Sequence, residues 1–105
     1  MTPICDPPYY AVIFTSTHYD ITKDYQGLDE KLIQIAENIE GFIGMDSARS
    51  DYGISVSYWK TEQAILKWKQ NAEHIAAMKL GIEKFYQYYS VRVCKVERNY
   101  EFKRG

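Results

Sequence analysis

The chain has 105 residues, of which 46% are hydrophobic and 26% charged, and its formal net charge is −1. This length favours a single domain, and the near-neutral charge without a basic stretch excludes the electrostatic footprint of a nucleic-acid-binding protein. No apolar run approaches the roughly 20 residues of a membrane helix, and the first ten residues lack the pattern of a secretory signal. We therefore expect a cytoplasmic protein without nucleic-acid or membrane partners, with a flexible lead-in at 1–8 and one domain at 9–105.

The first half of the chain predicts a strand, a helix and a hairpin. Residues 9–19 are rich in aromatic and β-branched residues and are typical of a central strand. In the next segment apolar residues recur at helical spacing: Leu28, Leu32, Ile35, Ala36 and Ile39. Gly27 indicates a late start of this helix, and Gly41 ends it. Residues 42–49 and 53–59 then predict the two strands of a hairpin.

The second half predicts a helical segment and a last strand. Apolar residues follow at mostly helical spacing: Ile65, Trp68, Ala72, Ile75, Ile82, Phe85 and Tyr89. Gly81 is expected to break this long segment into two pieces, because glycine is a poor helix former. Residues 89–100 predict the last strand, with Val91 and Val93 on one face and Arg92 on the other.

The resulting order, β-α-β-β-α-β, is that of the ferredoxin-like split unit, an α+β fold with a four-stranded antiparallel sheet and both helices on one face. The other face also carries apolar residues on at least two strands, and a single copy would expose them to water. We therefore expect a homodimer in which the sheets of two copies face each other.

Three stretches carry a family resemblance: EGFIGMDSAR, ISVSYWKTEQAILKWKQNAEHIAAMKLG and VRVCKVERNY. With them the chain resembles, over roughly residues 9–100, the antibiotic biosynthesis monooxygenase superfamily, which includes small haem-degrading monooxygenases. The most specific part is a Gly-Phe-hydrophobic-Gly strand start, followed by Trp59 and Trp68 across a strand–helix junction. The resemblance implies a dimeric α/β-barrel with one pocket per subunit between sheet and helices. Well-studied members use this pocket to oxygenate electron-rich aromatic substrates, some without metal or flavin.

The resemblance also bears on cofactors. Haem-degrading members use an Asn on the first strand, a Trp early in the second helix and a His ten residues after that Trp. Trp68 matches this Trp, but Met78 stands in place of the His, and the first strand offers only Thr15 or Ser16. We expect no cofactor, with haem as the alternative. We also expect no bound metal, because the two cysteines are not spaced as a metal-binding pair.

The candidate catalytic residues are His74 and Trp68, and the candidate substrate-binding residues are Tyr58, Met78 and Tyr86. Histidine has an unperturbed pKa near physiological pH, so His74 could accept a proton, while Trp68 would form a pocket wall. Packing in the core or at a subunit interface is the alternative for Trp68 and the tyrosines, gap filling for Met78, and surface exposure for His74. On an unbroken helix, Trp68 and His74 would point about 120° apart. They would then share a pocket only if it is wide or the helix is bent.

The leading hypothesis for function is a cofactor-independent, monooxygenase-like protein acting on an aromatic or quinol-like small molecule. The alternative is a non-enzymatic dimeric module that binds small ligands or is associated with stress. The orientation of His74 discriminates between them, because the first hypothesis requires it to face an enclosed cavity with Trp68. Arg92 and Arg98 either bind an anionic substrate or form ion pairs between subunits.

Overall fold

The computed structural model describes residues 1–19 and 23–105, including the side chains of the first helix from residue 27 onward. The elements in chain order are β1 (Tyr9–His18), α1 (Lys23–Glu37), β2 (Phe42–Arg49), β3 (Gly53–Trp59), α2 (Glu62–Gln70), α3 (Ala72–Lys84) and β4 (Tyr86–Val96). The four strands form one sheet in the order β2-β3-β1-β4, with every neighbouring pair antiparallel. The predicted ferredoxin-like α+β fold is confirmed, with its second helical segment divided into α2 and α3.

The strand register arranges the side chains of the helix-covered face in rows. Each row takes one residue from β2, β3, β1 and β4, in that order. The two outer rows are Phe42, Trp59, Tyr10, Lys95 and Arg49, Gly53, Ser16, Tyr89. The two inner rows are Met45, Ser57, Val12, Val93 and Ser47, Ser55, Phe14, Val91. Small hydroxyl side chains therefore concentrate on β2 and β3 in the middle of this face, and apolar side chains on β1 and β4.

The helices pack on this face through two groups of buried side chains. The first group consists of Val12, Ala36, Trp59, Ala64 and Ile65. The second group consists of Leu28, Ala77, Phe85 and Tyr86. Burial of such side chains is the main force that attaches the helices to the sheet. Because the two groups are separate, the helices are anchored at two places on the sheet.

The second helical segment breaks at Asn71, and the predicted break at Gly81 is wrong. Asn71 has φ −62° and ψ 129°, and its side-chain oxygen accepts the backbone N–H groups of Glu73 and His74 at 2.9 and 3.1 Å. Asn71 thus ends α2 and caps α3, a position that asparagine favours. Gly81 lies inside α3, where an added Cβ would come within 2.5 Å of the Tyr86 ring. This close packing outweighs the roughly 1 kcal/mol by which glycine disfavours a helix.

The break changes which residues of α3 are buried. Ile75 and Ile82, predicted to lie on the apolar stripe, are 54% and 55% exposed. The prediction continued the periodicity of α2 through Asn71, whereas α3 begins there with a new rotation. Ala77 and Gly81 are buried instead.

Two predicted boundaries also differ from the structure. The first helix begins at Lys23, so Gly27 lies inside it and marks no late start. The last strand spans Tyr86–Val96 rather than 89–100. The predicted faces of β4 are confirmed, because Val91 pairs with Phe14 on the helix side and Arg92 pairs with Ile13 on the opposite side.

The opposite face of the sheet is partly covered by the two terminal segments. Thr2 donates its backbone N–H to Asp46 at 2.6 Å, and the side chain of Asn99 donates to the carbonyl of Cys5 at 2.8 Å. Ile54 on the same face remains 37% exposed. The termini therefore cover only part of the apolar surface of this face.

Candidate functional site

A cavity of about 660 Å³ lies between the helix-covered face of the sheet and the helices. Its floor comes from the two inner rows and from the row of Arg49. Its walls come from all three helices, through Leu32 and Ile33, Ile65, Trp68 and Lys69, and His74 and Met78. This size falls within the roughly 300–1,000 Å³ typical of small-molecule sites. The cavity is therefore the candidate functional site.

Trp68 and His74 lie side by side in the wall at the junction of α2 and α3. Their ring centroids are 4.6 Å apart, with the ring planes at 63° in an edge-to-face contact. An unbroken helix would have pointed them apart, but the break at Asn71 places them on separate helices, and both line the cavity. His74 therefore faces the cavity beside Trp68, as the enzymatic hypothesis requires.

The environment of His74 keeps its imidazole uncharged at neutral pH. Burial lowers the pKa of His74 from its ordinary value of 6.5, because desolvation disfavours the imidazolium ion. The location of His74 in the first turn of α3 acts in the same direction, since a helix N-terminus disfavours a cation. A neutral imidazole has one nitrogen that can accept a proton. At neutral pH His74 therefore presents an uncharged imidazole to the cavity.

Trp68 belongs to a row of contacting aromatic rings that runs from the core to the cavity. Its ring centroid lies 5.0 Å from that of Trp59. The N–H of Trp59 is buried and donates to Ser57 Oγ at 2.9 Å, whereas the buried N–H of Trp68 has no acceptor among the described residues. A buried donor without a partner costs about 1–3 kcal/mol. Buried polar groups without a partner are rare in folded proteins, so this one marks the Trp68 side of the cavity as a candidate binding position.

Of the three predicted substrate-binding residues, two line the cavity. Met78 contributes to the α3 wall, and Tyr86 lines the opposite end, with its ring 5.5 Å from that of Phe14. The prediction for Tyr58 is wrong for this cavity. Tyr58 lies on the other face of the sheet, where its hydroxyl donates to Asp46 at 3.1 Å. The reason is strand alternation, because the neighbouring Ser57 and Trp59 face the helices.

A polar cluster at the far end of the cavity was not predicted. Arg49 donates to the carboxylate of Asp29 at 3.1 Å, and its other terminal nitrogen makes a short contact with Nε2 of His18. The same His18 nitrogen lies 3.2 Å from the hydroxyl of Ser16. Arg49 is separated from its partners by 20 and 31 positions along the chain. Of the sequence signals, only the alternation of β2 concerns this cluster, because it places the Arg49 side chain on the same face of the sheet as Met45.

The residues of the cavity do not fit the haem set described by the family resemblance. Met78 occupies the wall where that set has a His, and Ser16 is the polar β1 residue on the cavity side. In the described part of the chain, no three His, Cys, Asp or Glu side chains lie close enough together to hold a metal ion. Among the helices over the described residues, none is sufficiently long and apolar to span a membrane.

Comparisons with known proteins identify a family, a relative and several proteins of the same fold. The profile of the antibiotic biosynthesis monooxygenase family matches residues 8–80. The chain is 41% identical over 95 residues to the uncharacterised protein YqjZ of Bacillus subtilis (strain 168), which covers 89% of this chain and 83% of YqjZ. SnoaB, a cofactor-independent oxygenase from Streptomyces nogalater, has the same fold with a TM-score of 0.77 at 6% identity, over 89% of this chain and 97% of SnoaB. Rv0793 from Mycobacterium tuberculosis also has a TM-score of 0.77, at 13% identity over 89% and 99% of the two chains. Since the profile matches more than half of its residues, the chain belongs to the antibiotic biosynthesis monooxygenase family.

Proposed function

We propose that this protein is a cofactor-independent monooxygenase that acts on an aromatic or quinol-like small molecule bound in the cavity. The observation that carries the proposal is the neutral His74 held against Trp68 in the wall of the cavity. Membership of the monooxygenase family supports it. The fold shared with SnoaB, a cofactor-independent oxygenase, supports the absence of a cofactor.

The chemistry requires only the substrate and dioxygen. Loss of the phenolic proton from an electron-rich phenol gives an anion that donates an electron to O₂. One oxygen atom then bonds to a ring carbon, and the other leaves as water. The overall reaction is phenol plus O₂ to quinone plus H₂O. All the electrons come from the phenol, so no external reductant is needed.

The residues of the cavity supply a base and a binding surface for this reaction. His74 would accept the phenolic proton, because its imidazole is neutral at working pH. Trp68 and Met78 would hold the aromatic ring near His74, and Tyr86 would contact the substrate from the opposite end of the cavity. Positioning the ring and excluding water both favour a reaction of this kind.

The test is oxygen consumption by the purified protein with a panel of phenols and quinols, measured with an oxygen electrode. Isotope-labelled O₂ should place one labelled atom in each quinone product. His74→Gln should lower the rate by about a hundredfold or more, the usual contribution of a general base. Ile75→Ala is the matched control, because Ile75 is adjacent in sequence but exposed. A parental rate in His74→Gln would contradict the proposal.

A non-enzymatic ligand-binding role is the second candidate, favoured by Met78, which lines the cavity where the haem-degrading members have a histidine. In that case the same phenols would bind to the parent protein while no oxygen is consumed. Calorimetric titration performed beside the oxygen assay separates the two candidates.

We also propose that the protein forms a homodimer through the face of the sheet opposite the helices. Ile54 on that face is 37% exposed, and Tyr100 and Phe102 of the C-terminal segment are 94% and 78% exposed. Pairing two copies would remove apolar surface of this kind from water. Light scattering should give about twice the chain mass of 12.3 kDa, and a monomer mass would contradict the proposal.

A further inference from the structure

The segment that follows β4 carries two aromatic side chains that its own chain leaves uncovered. Tyr100 and Phe102 are 94% and 78% exposed, in residues 97–105, which form neither helix nor strand. Large aromatic side chains are more often buried in a core or at an interface between molecules. Two of them exposed on one short segment therefore indicate a contact with another molecule.

Polar and apolar side chains alternate along residues 100–104, which we call the arm. Glu101 and Lys103 form an ion pair at 3.6 Å, so they lie on the same side of the arm. On the other side, the guanidinium of Arg104 lies 5.4 Å from the ring centroid of Phe102. The arm thus has one charged side and one aromatic side. Extended segments of this kind bind by laying the apolar side on a surface of another molecule.

The starting point of the arm is fixed by Asn99. The side-chain amide of Asn99 donates to the carbonyl of Cys5 at 2.8 Å and to the hydroxyl of Tyr9 at 2.7 Å. Tyr9 is the first residue of β1, and its side chain lies on the face of the sheet opposite the helices. The arm therefore leaves the domain on that face, at the end of the sheet where β1 begins.

The other end of the sheet has an uncovered apolar surface where β2 turns into β3. Tyr52 in this turn is 53% exposed, and Ile54 next to it is 37% exposed. We call these two residues the hairpin patch. Ile54 lies on the face opposite the helices, as the partner of Thr15, and it also lines the cavity. Apolar side chains placed on the hairpin patch would therefore close this end of the cavity.

The arm cannot reach the hairpin patch of its own chain. Ile54 is level with Thr15, which lies six residues from Tyr9 along β1, roughly 20 Å away. Phe102 follows the fixed Asn99 by three residues, which span only roughly 10 Å. A surface that suits the arm but lies beyond its reach requires a second copy of the chain.

A symmetric dimer brings the two parts together. When two sheets face each other across a two-fold axis perpendicular to their strands, the end where β1 begins lies over the hairpin end of the partner. Ile54 lies on β3, two strand spacings of about 4.8 Å from β4. The five residues of the arm span roughly 17 Å, which is enough to cross this distance.

We infer that the arm of one copy packs on the hairpin patch of a second copy and closes that end of the partner's cavity. Each copy gives one arm and receives one. Tyr100 and Phe102 thereby become part of the partner's binding site. The inference rests on the homodimer of the proposed function and adds to it the orientation of the two copies and the residues exchanged.

The test of the exchange is cross-linking between two different full-length copies. One copy carries Phe102→Cys and the other Ile54→Cys, both in a background of Cys5→Ser and Cys94→Ser, which removes the native thiols. The two are co-expressed, purified and treated with a short bismaleimide. A denaturing gel should show a cross-linked dimer. Leu66→Cys in place of Ile54→Cys is the matched control, because Leu66 is exposed on α2 and should give no cross-link to Phe102→Cys.

Two double variants separate the aromatic side of the arm from its charged side. Tyr100→Ser with Phe102→Ser should weaken the dimer at least about tenfold in sedimentation equilibrium, the size expected for losing aromatic anchors of an interface. The same variant should bind 1-naphthol about threefold more weakly or worse, because the cavity loses apolar contacts at its hairpin end. Glu101→Gln with Lys103→Gln should change neither value, since an exposed ion pair contributes little.

The contrary outcomes separate this inference from the proposed function. A parent protein that sediments as a monomer would overturn both the homodimer and the exchange of arms. A dimer that gives no cross-link between positions 102 and 54, or that is unaffected by loss of the two aromatic side chains, would overturn the exchange and leave the homodimer in place. Unchanged binding of 1-naphthol by the aromatic variant would overturn the closure of the cavity by the arm.

Discussion

Both tryptophans lie among aromatic side chains, but they differ in burial and in hydrogen bonding. Trp59 ends β3, is fully buried and donates its N–H to Ser57. Trp68 packs against the ring of Trp59 and is only partly buried. Its N–H is nevertheless buried and has no acceptor among the residues described. Trp68 also contacts His74, whereas Trp59 contacts Phe42. Trp59 is thus a core residue whose N–H is hydrogen-bonded, whereas Trp68 forms part of the cavity wall.

This difference shows how a small domain combines a stable core with a binding site. The ring of Phe42 packs edge-to-face on Trp59, and the Trp59 ring in turn supports Trp68. The break at Asn71 then adds His74 from a separate helix. We therefore expect substitutions near Trp59 to reduce stability most, and substitutions near Trp68 to affect function more than stability.

The largest expected effect is on stability, from Trp59→Ala. Removing a fully buried tryptophan leaves a cavity and costs about 3–5 kcal/mol, a large part of the 5–15 kcal/mol typical of a domain. Trp68→Ala should cost less, because Trp68 is only partly buried and its unsatisfied N–H is removed with it. Urea denaturation of both variants measures the difference. An equal or larger loss in Trp68→Ala would show that Trp68 is mainly a core residue.

A smaller loss is expected from Asn71→Ala. The variant removes the side-chain oxygen that accepts two N–H groups of α3, and loss of such a cap typically costs about 1 kcal/mol. Asn71→Asp is the matched control, because aspartate caps a helix equally well. Phenol affinity should fall in Asn71→Ala and persist in Asn71→Asp, since the cap sets the rotation of His74 toward Trp68. Unchanged phenol affinity in both variants would show that the cap at Asn71 does not affect ligand binding.

The pH dependence of stability should be smaller still and should depend on His74. Burial lowers the pKa of His74 in the folded protein, so the unfolded chain binds more protons once the pH falls below about 6.5. The free energy of unfolding should therefore be highest above pH 6.5 and decline as the pH falls through the folded pKa. His74→Gln should reduce this decline. A residual decline is expected from His18, whose pKa is lowered by burial and by Arg49.

Titration with hemin should have the smallest effect, a weak spectral change that does not saturate. Met78 stands where haem-degrading relatives have a histidine, so the usual axial ligand is missing. A sharp Soret band with one haem per chain, lost in His74→Ala, would contradict this expectation. It would show that His74 replaces the missing ligand.

The sequence was sufficient to predict the fold because the fold depends on local patterns. Period-two alternation in β4 correctly separated Val91 from Arg92, and the order of elements correctly predicted the ferredoxin-like sheet. The prediction failed at Asn71, where one capping residue interrupts the helical spacing that its neighbours continue. Asn71 was overlooked as a cap within an apparently continuous helical pattern, and the consequence was a wrong orientation for Ile75 and Ile82.

The site was only partly predictable because its parts meet through the tertiary structure. Trp68, His74, Met78 and Tyr86 were named from residue type, spacing and the family resemblance, and all four line the cavity. Their catalytic and binding roles remain proposals. Arg49 and its partners were missed, because nothing in the local sequence links β2 to Asp29 of α1.

The measurement that tests the account most directly is the pH dependence of Trp68 fluorescence in a Trp59→Phe background. A protonated imidazole in contact with an indole quenches its emission, and the two rings are 4.6 Å apart. We expect quenching as the pH falls, with a midpoint below the ordinary value of 6.5, and no such transition after His74→Gln. A titration that is absent, or that persists without His74, would show that the break at Asn71 does not bring His74 onto Trp68.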